Sequence, residues 1–202
     1  MTDFKNMEIN KYIDVLSSNA PMPGGGTVSA LNGAMGISLI LMVVNLSYGK
    51  NNFLQFNDDL MYIINEGEKI KKRFLELIDE DVVAYNKMIE VYNIKKDTVE
   101  NIKLRNEKME EALKFCIIPP INVLKLCIEA VKLANLSKDK TTKLAESDIK
   151  IGIDNLICAI KGAICNVNIN IKYMKDTNEI DNIKKQLRNY MEELEKNNII
   201  LN

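Results

Sequence analysis

The sequence predicts an all-α fold, a bundle of long helices in which a Gly-rich loop enters a buried helix. Three observations carry this. Apolar residues recur at three- and four-residue steps along most of the chain. The four prolines fall in two groups, Pro21 with Pro23 and Pro119 with Pro120, leaving the rest of the chain free of breakers. Of the 202 residues 47% are apolar, enough for a sizeable core, and a single domain over 1–202 is expected.

Phe4 to Leu16 reads as a first amphipathic helix, with SSNAPMPGGG as the connection after it. Gly26 or Thr27 should start the second helix, which ends near Tyr48-Gly49-Lys50. Within it, Val28 to Leu46 is nineteen residues without a charge, close to the ~20 that span a bilayer. Its small and polar members, Ser29, Asn32, Gly33, Gly36, Ser38 and Asn45, suit close packing inside protein instead. No second span or flanking basic cluster accompanies it, so a central buried helix and no membrane partner are expected.

A third helix should run from about Phe53 to Tyr92, on the stripe Leu60, Ile63, Ile64, Gly67, Ile70, Phe74, Leu77, Ile78, Tyr85, Met88. After a polar break at Lys95 to Val99, Glu100 to Ala134 reads as helix, kinked or divided at Pro119-Pro120. NLSKDKTTKLAESD reads as a solvated loop, with Ser147 as N-cap of a helix from Asp148 to about Tyr173. Glu179 to Lys196 forms the last helix. Helices of this length carry more apolar surface than one small bundle covers, and a homodimer is expected.

Acidic and basic residues nearly cancel at a formal charge of −1, which argues against a nucleic-acid partner. Cys116, Cys127, Cys158 and Cys165 sit in apolar runs without CxxC spacing, as reduced core thiols of a cytoplasmic protein would. The N-terminus lacks the basic, apolar and small-residue order of an export signal. The absence of histidine excludes Ser/His/Asp and Cys/His catalysis and histidine-ligated metal. Acid/base chemistry near neutral pH then falls to a carboxylate, lysine, tyrosine or cysteine with a displaced pKa, or to the substrate itself.

Three features stand out of place. Asp81 continues the spacing Phe74, Leu77, Asp81, Tyr85, Met88 and so faces inward, where burial raises a carboxyl pKa toward a working acid/base range. The same placement also serves a carboxylate that caps a neighbouring helix or pairs with a lysine. Asp148, Gly152, Asn155, Ala159, Gly162, Asn166 and Asn170 form one small, amide-bearing face, suited either to close helix packing or to a polar cleft for a flat heterocycle. Gly24, Gly25 and Gly26 leave backbone N–H groups unobstructed at a helix N-terminus, where an anion or carbonyl oxygen is favoured; a loop of positive φ is the structural alternative. Neither a dinucleotide fingerprint nor a P-loop fits this stretch.

Taken together, APMPGGGTVSALNGAMG, the following YGK, LIDEDVVAYNKM, the Pro-Pro break and ESDIKIGIDNLICAIKGAICNVNINIKYM resemble the formiminotetrahydrofolate cyclodeaminase and methenyltetrahydrofolate cyclohydrolase family over nearly the whole chain. Met22 and Asn32 depart from the small residues expected at those places. The resemblance implies an all-α dimer acting on tetrahydrofolate one-carbon units, with no metal or permanently bound cofactor. It implies cyclodeamination of 5-formiminotetrahydrofolate to 5,10-methenyltetrahydrofolate and ammonia. The alternatives are methenyltetrahydrofolate hydrolysis to the 10-formyl compound, or folate binding without turnover. On this reading Asp81 is the acid/base group, Tyr85 orients it or the substrate, and Asp148 is a second carboxylate candidate. Asn166 and Asn170 hold ligand edges, Gly24, Gly25 and Gly26 present donors, and Lys50 contacts ligand oxygens. Lys138, Lys140 and Lys143 either meet a polyglutamate tail or belong to a solvated loop.

Overall fold

The computed structural model describes residues 3–201. Within them lie six α-helices and three short 3-10 turns, with no strand among the described residues. The helices are α1 (Ile9–Leu16), α2 (Gly25–Ser47), α3 (Asn57–Tyr92), α4 (Val99–Ser137), α5 (Glu146–Tyr173) and α6 (Thr177–Lys196). Helices α2, α3, α4 and α5 form a four-membered ring in which each packs on the next, while α6 lies against α4. Three close approaches fix the α2–α3 register in antiparallel order. Gly26 meets Asp81, Gly33 the Phe74 ring, and Gly67 the Leu41 side chain.

α2 is long and apolar enough to cross a membrane by length and composition, yet 61% of its apolar window is buried by its neighbours. Its small residues explain how. A methyl at Gly36 would stand 2.7 Å from the Gly152 carbonyl oxygen, so α2 and α5 meet backbone to backbone with no room for a side chain. The sequence's small stripes therefore serve helix contact along most of their length. The core they close includes Ile37, Ile40, Phe74, Leu77, Leu156 and Ile160, all fully buried.

Several boundaries differ from expectation for local reasons. Phe4 to Leu16 is broken: a 3-10 turn at Phe4–Asn6 is followed by extended backbone at Met7, and α1 begins only at Ile9. The break lets Phe4 bury its ring edge-on against Tyr12, at 6.3 Å between centroids. Helix α2 starts at Gly25 with Gly24 as its cap, because the Thr27 hydroxyl reaches back to the Gly24 N–H at 3.0 Å. Gly49, at φ 69°, turns the chain into a 3-10 segment at Asn51–Phe56. Helix α4 runs undivided through Pro119 and Pro120, both buried, so packing on both sides outweighs the missing donors. Ser147 is not the cap of α5. A 3-10 turn at Lys143–Ala145, capped by Thr142, runs directly into a helix that begins at Glu146. Asp176 caps α6 by accepting from the Glu179 N–H at 3.2 Å.

The cysteines are free, but only Cys127 is fully buried; Cys116 is half-buried, and Cys158 and Cys165 are exposed on α5. The apolar runs that placed all four in the core do not tell which face of α5 turns outward.

Candidate active site

The first turn of α2, the C-terminal half of α3, the middle of α4 and the end of α5 surround a cleft of about 370 Å³. Asp81 and Tyr85 enter from α3, Gly24, Gly25 and Gly26 from α2, and Asn166 and Asn170 from α5. Seven of the nine site residues expected from the sequence are thus brought together.

The remaining two are not. Asp148 lies in the first turn of α5, eighteen residues or about 27 Å of helix from Asn166. Lys50 follows the far end of α2, more than 30 Å of helix from Gly26 at ~1.5 Å per residue. Both belong to the opposite end of the bundle. Antiparallel packing of α2 and α5 sends the start of one and the end of the other to the same place, which a linear pattern does not reveal. Lys138, Lys140 and Lys143 share that distant end. Lys140 pairs with Asp59 at 2.6 Å, and the Thr142 N–H donates to Ser47 Oγ at 2.8 Å.

A larger cavity, about 680 Å³, opens there between the α4–α5 connection and Phe53. Its Glu146 is held below the usual carboxylate range by the Lys150 ammonium, with the pair at 2.9 Å. The smaller cleft differs in chemistry. Burial pushes the Asp81 carboxyl up to about 6, and the Thr27 backbone N–H facing it pulls weakly the other way. A group poised there is mostly ionised at neutral pH yet protonates at modest cost, as a general base and acid must.

The glycines allow this carboxyl to sit where it does. A methyl on Gly26 would overlap the Asp81 carboxylate, so only glycine permits that approach. Glycine 24's N–H is taken by Thr27 Oγ1, and the first intrahelical bond runs from the Val28 N–H to the Gly24 carbonyl at 3.0 Å. The N–H groups of Gly25 and Gly26 therefore have no helical acceptor and stand at the positive end of the α2 dipole, next to the Thr27 N–H that faces the carboxylate. On the facing wall, the Asn166 amide nitrogen donates to the Gly162 carbonyl at 3.0 Å and that of Asn170 to the Asn166 carbonyl at 2.8 Å. These bonds orient both amides on their own helix and leave their oxygens to accept. Asn166 stands opposite Gly25, where an added methyl would just touch its amide, and closes one side of the cleft.

Apolar and aromatic groups complete the walls: Met22, Met88, Tyr92, Ile169 and Tyr173, with Cys116 beside Ala84. Burial raises the Cys116 thiol to about 11, and its Sγ donates to the Ala84 carbonyl at 3.3 Å. None of these was singled out in the sequence as a site residue. Nor was Tyr12, whose hydroxyl donates to Thr27 Oγ1 at 3.3 Å from behind the first turn of α2. A threonine three residues after a helix-capping glycine was the one local signal available. Among the described residues, no three Cys, Asp or Glu side chains converge to hold a metal ion.

Comparison with known proteins places this geometry among relatives. The chain is 32% identical over 171 residues to a methenyltetrahydrofolate cyclohydrolase of Methylorubrum extorquens, covering 85% of this chain and 82% of the relative. It is 28% identical over 174 residues to the formimidoyltransferase-cyclodeaminase of Gallus gallus, of which it spans 31%. The fold matches the crystal structure of formiminotetrahydrofolate cyclodeaminase from Thermotoga maritima with a TM-score of 0.86 at 21% identity, covering 96% of this chain and 92% of that one. Residues 8–189 match the family described as Formiminotransferase-cyclodeaminase, and the chain belongs to that family.

Proposed function

We propose that this chain is an enzyme of tetrahydrofolate one-carbon chemistry that acts at the methenyl level, with Asp81 as its acid/base group. The observation that carries the reading is the placement of a carboxyl raised to about 6 against the N-terminal turn of α2, in a cleft bordered by amides and aromatic rings. The first reaction assigned is cyclodeamination of 5-formiminotetrahydrofolate. One folate nitrogen attacks the formimino carbon borne by its neighbour, a tetrahedral adduct forms, and ammonia leaves as the methenyl bridge closes. Asp81 as carboxylate accepts the proton of the attacking nitrogen, and as acid returns one to the departing amine. The Gly25 and Gly26 N–H groups face an electron-rich ligand edge, and Asn166 and Asn170 accept from ligand N–H groups.

A second reaction is favoured by similarity to the Methylorubrum extorquens cyclohydrolase over most of both chains. There water attacks the methenyl carbon, Asp81 takes its proton, and ring opening gives the 10-formyl compound. Neither sequence of bonds calls for a metal, a redox group or a histidine, so an enzyme without a resident cofactor is proposed, and its four free cysteines favour the cytoplasm.

We also propose a homodimer. Met35, Met42 and Leu46 on α2 and Ile151 on α5 are exposed in the single chain, and a second copy would cover them. Methenyltetrahydrofolate absorbance decides the reaction. Its appearance from formiminotetrahydrofolate with equal ammonia identifies a cyclodeaminase, and enzyme-dependent loss alone a cyclohydrolase. Silence in both assays, with folate-induced thermal stabilisation, would leave a binding protein.

A further inference from the structure

We propose that Tyr12 is a positioning residue of this site, acting through Thr27 to keep the Asp81 carboxyl seated against the first turn of α2. The proposal rests on the reading of Asp81 as the acid/base group. Tyr12 is 6% exposed and belongs to α1, which does not line the cleft. Its hydroxyl donates to Thr27 Oγ1 at 3.3 Å. The same oxygen accepts the Gly24 N–H at 3.0 Å and donates to the Gly24 carbonyl at 2.8 Å. A hydroxyl has one proton and two lone pairs, so all three positions of Thr27 are used and its side chain has one place to be. That fixes the turn whose Thr27 N–H faces Asp81 and whose Gly26 leaves space for the carboxylate.

The segment that carries Tyr12 is itself anchored to the helix that carries Asp81. Phe4 packs edge-on against the Tyr12 ring, and Lys5 pairs with Asp79 at 2.6 Å, two residues before Asp81. One short stretch of chain thus holds both sides of the contact between α2 and the carboxyl.

The titratable groups facing Asp81 are few. Tyr12 comes from α1 and Cys116 from α4, while Tyr85 and Tyr92 line the same cleft from α3. The first turn of α2 offers backbone N–H groups, and α5 offers the Asn166 and Asn170 amides and Tyr173. Burial, opposed in part by the Thr27 hydrogen bond and aided by the nearby Asp81 charge, pushes the Tyr12 hydroxyl above its ordinary range, so it remains a neutral donor at working pH. Removing that hydroxyl leaves the ring and the burial of Asp81 in place but loosens the turn. The Thr27 N–H favours the carboxylate form, so a looser turn lets Asp81 titrate still higher. Neither Tyr12 nor Thr27 lines the cleft, and the group Thr27 faces is the Asp81 carboxyl, so the loss falls on kcat more than on KM.

The test uses Tyr12→Phe, Thr27→Val, Thr27→Ser and the double variant Tyr12→Phe/Thr27→Val. Steady-state turnover with tetrahydrofolate substrates is measured alongside a ¹³C NMR titration of the Asp81 carboxyl in ligand-free protein. Y12F should lose about three- to tenfold in kcat, the worth of one hydrogen bond, with KM within about twofold. The double variant should be no worse than Thr27→Val, and Thr27→Ser should stay near wild type. The Asp81 midpoint should rise in Y12F and Thr27→Val but not in Thr27→Ser. An unmoved midpoint in folded Y12F, or additive losses in the double variant, would overturn the proposal. Should Y12F not fold, the Thr27 pair decides it alone, equal midpoints in Val and Ser counting against it. Wild-type protein inactive on folates whose Asp81 midpoint still responds to Y12F would overturn the functional reading and uphold the positioning role.

Discussion

Replacing Asp81 by Asn should disable the enzyme and stabilise the fold. The carboxyl titrates at about 6 in the folded chain against an ordinary value of 3.8, with burial as the leading cause. Its ionised form is therefore disfavoured by folding. Below 3.8 both states are protonated and nothing is lost. Between 3.8 and about 6 the folded state holds the extra proton, so stability falls as pH rises; above that window the loss is complete. Two units and a little more, at 1.36 kcal/mol each, put it at about 3 kcal/mol at pH 7.5. Asparagine keeps an oxygen toward the Thr27 N–H and carries no charge, but its NH2 needs a partner of its own. A net gain of about 1–3 kcal/mol is expected, or roughly 2–4 °C in Tm per kcal/mol for a chain of this size. Differential scanning calorimetry of both proteins at pH 7.5 and pH 4 reads it directly. The advantage of Asp81→Asn should shrink toward zero at the lower pH. A variant less stable than wild type at both pH values, or one that keeps folate turnover, would refute the assignment of a destabilised working carboxyl.

Gly26→Ala should cost at least tenfold in turnover while the protein stays folded, since the added methyl displaces the carboxylate; a crystal structure with Asp81 unmoved and full activity would contradict this. Gly36→Ala forces a methyl toward the Gly152 carbonyl and should lower stability by about 1–3 kcal/mol, read by urea unfolding. Asp148→Asn and Lys50→Met, far from the cleft along their helices, should leave KM and kcat within about twofold, and a large loss in either would return it to the site. Light scattering after size exclusion should show a dimer that Met42→Glu dissociates, Met42 being exposed on the apolar face of α2.

The parts of this structure legible in advance are those written in periodicity. The α3 stripe from Leu60 to Met88 and the inward turn of Asp81 follow from spacing alone, because helix geometry repeats over long distances. Ser147 misled because capping depends on the turn before it, and Thr142 had already taken that role for the 3-10 segment. Pro119-Pro120 read as a break because the sequence does not show that both rings are buried by neighbouring helices. Asp148 and Asn166 share a helical face but not an end, and spacing reports only the face. Tyr12 was invisible as a site residue for a different reason. Its significance is a hydrogen bond to a residue fifteen positions away, created by the break at Met7 and the fold of the Gly-rich loop.

The backbone contact between Gly36 and Gly152 also has a mechanical consequence. Where the backbones meet at Gly36 and Gly152, with Leu156, Ile40 and Leu39 packed tightly around the contact, the two helices have little room to slide or re-pack, so α2 and α5 should behave as one stiff lever. Gly25 and Asn166, one from each, face each other at the end of that lever and should keep their separation as the cleft breathes. Breathing of the cleft is left to the parts not welded in this way: the connection at 17–24 and the helical hairpin of α3 and α4 beyond Tyr85. Amides at the centre of the α2–α5 seam should be among the last to exchange with deuterium, and those of the 17–24 connection among the first. A ligand would then enter past a pliant threshold and meet an unyielding back wall.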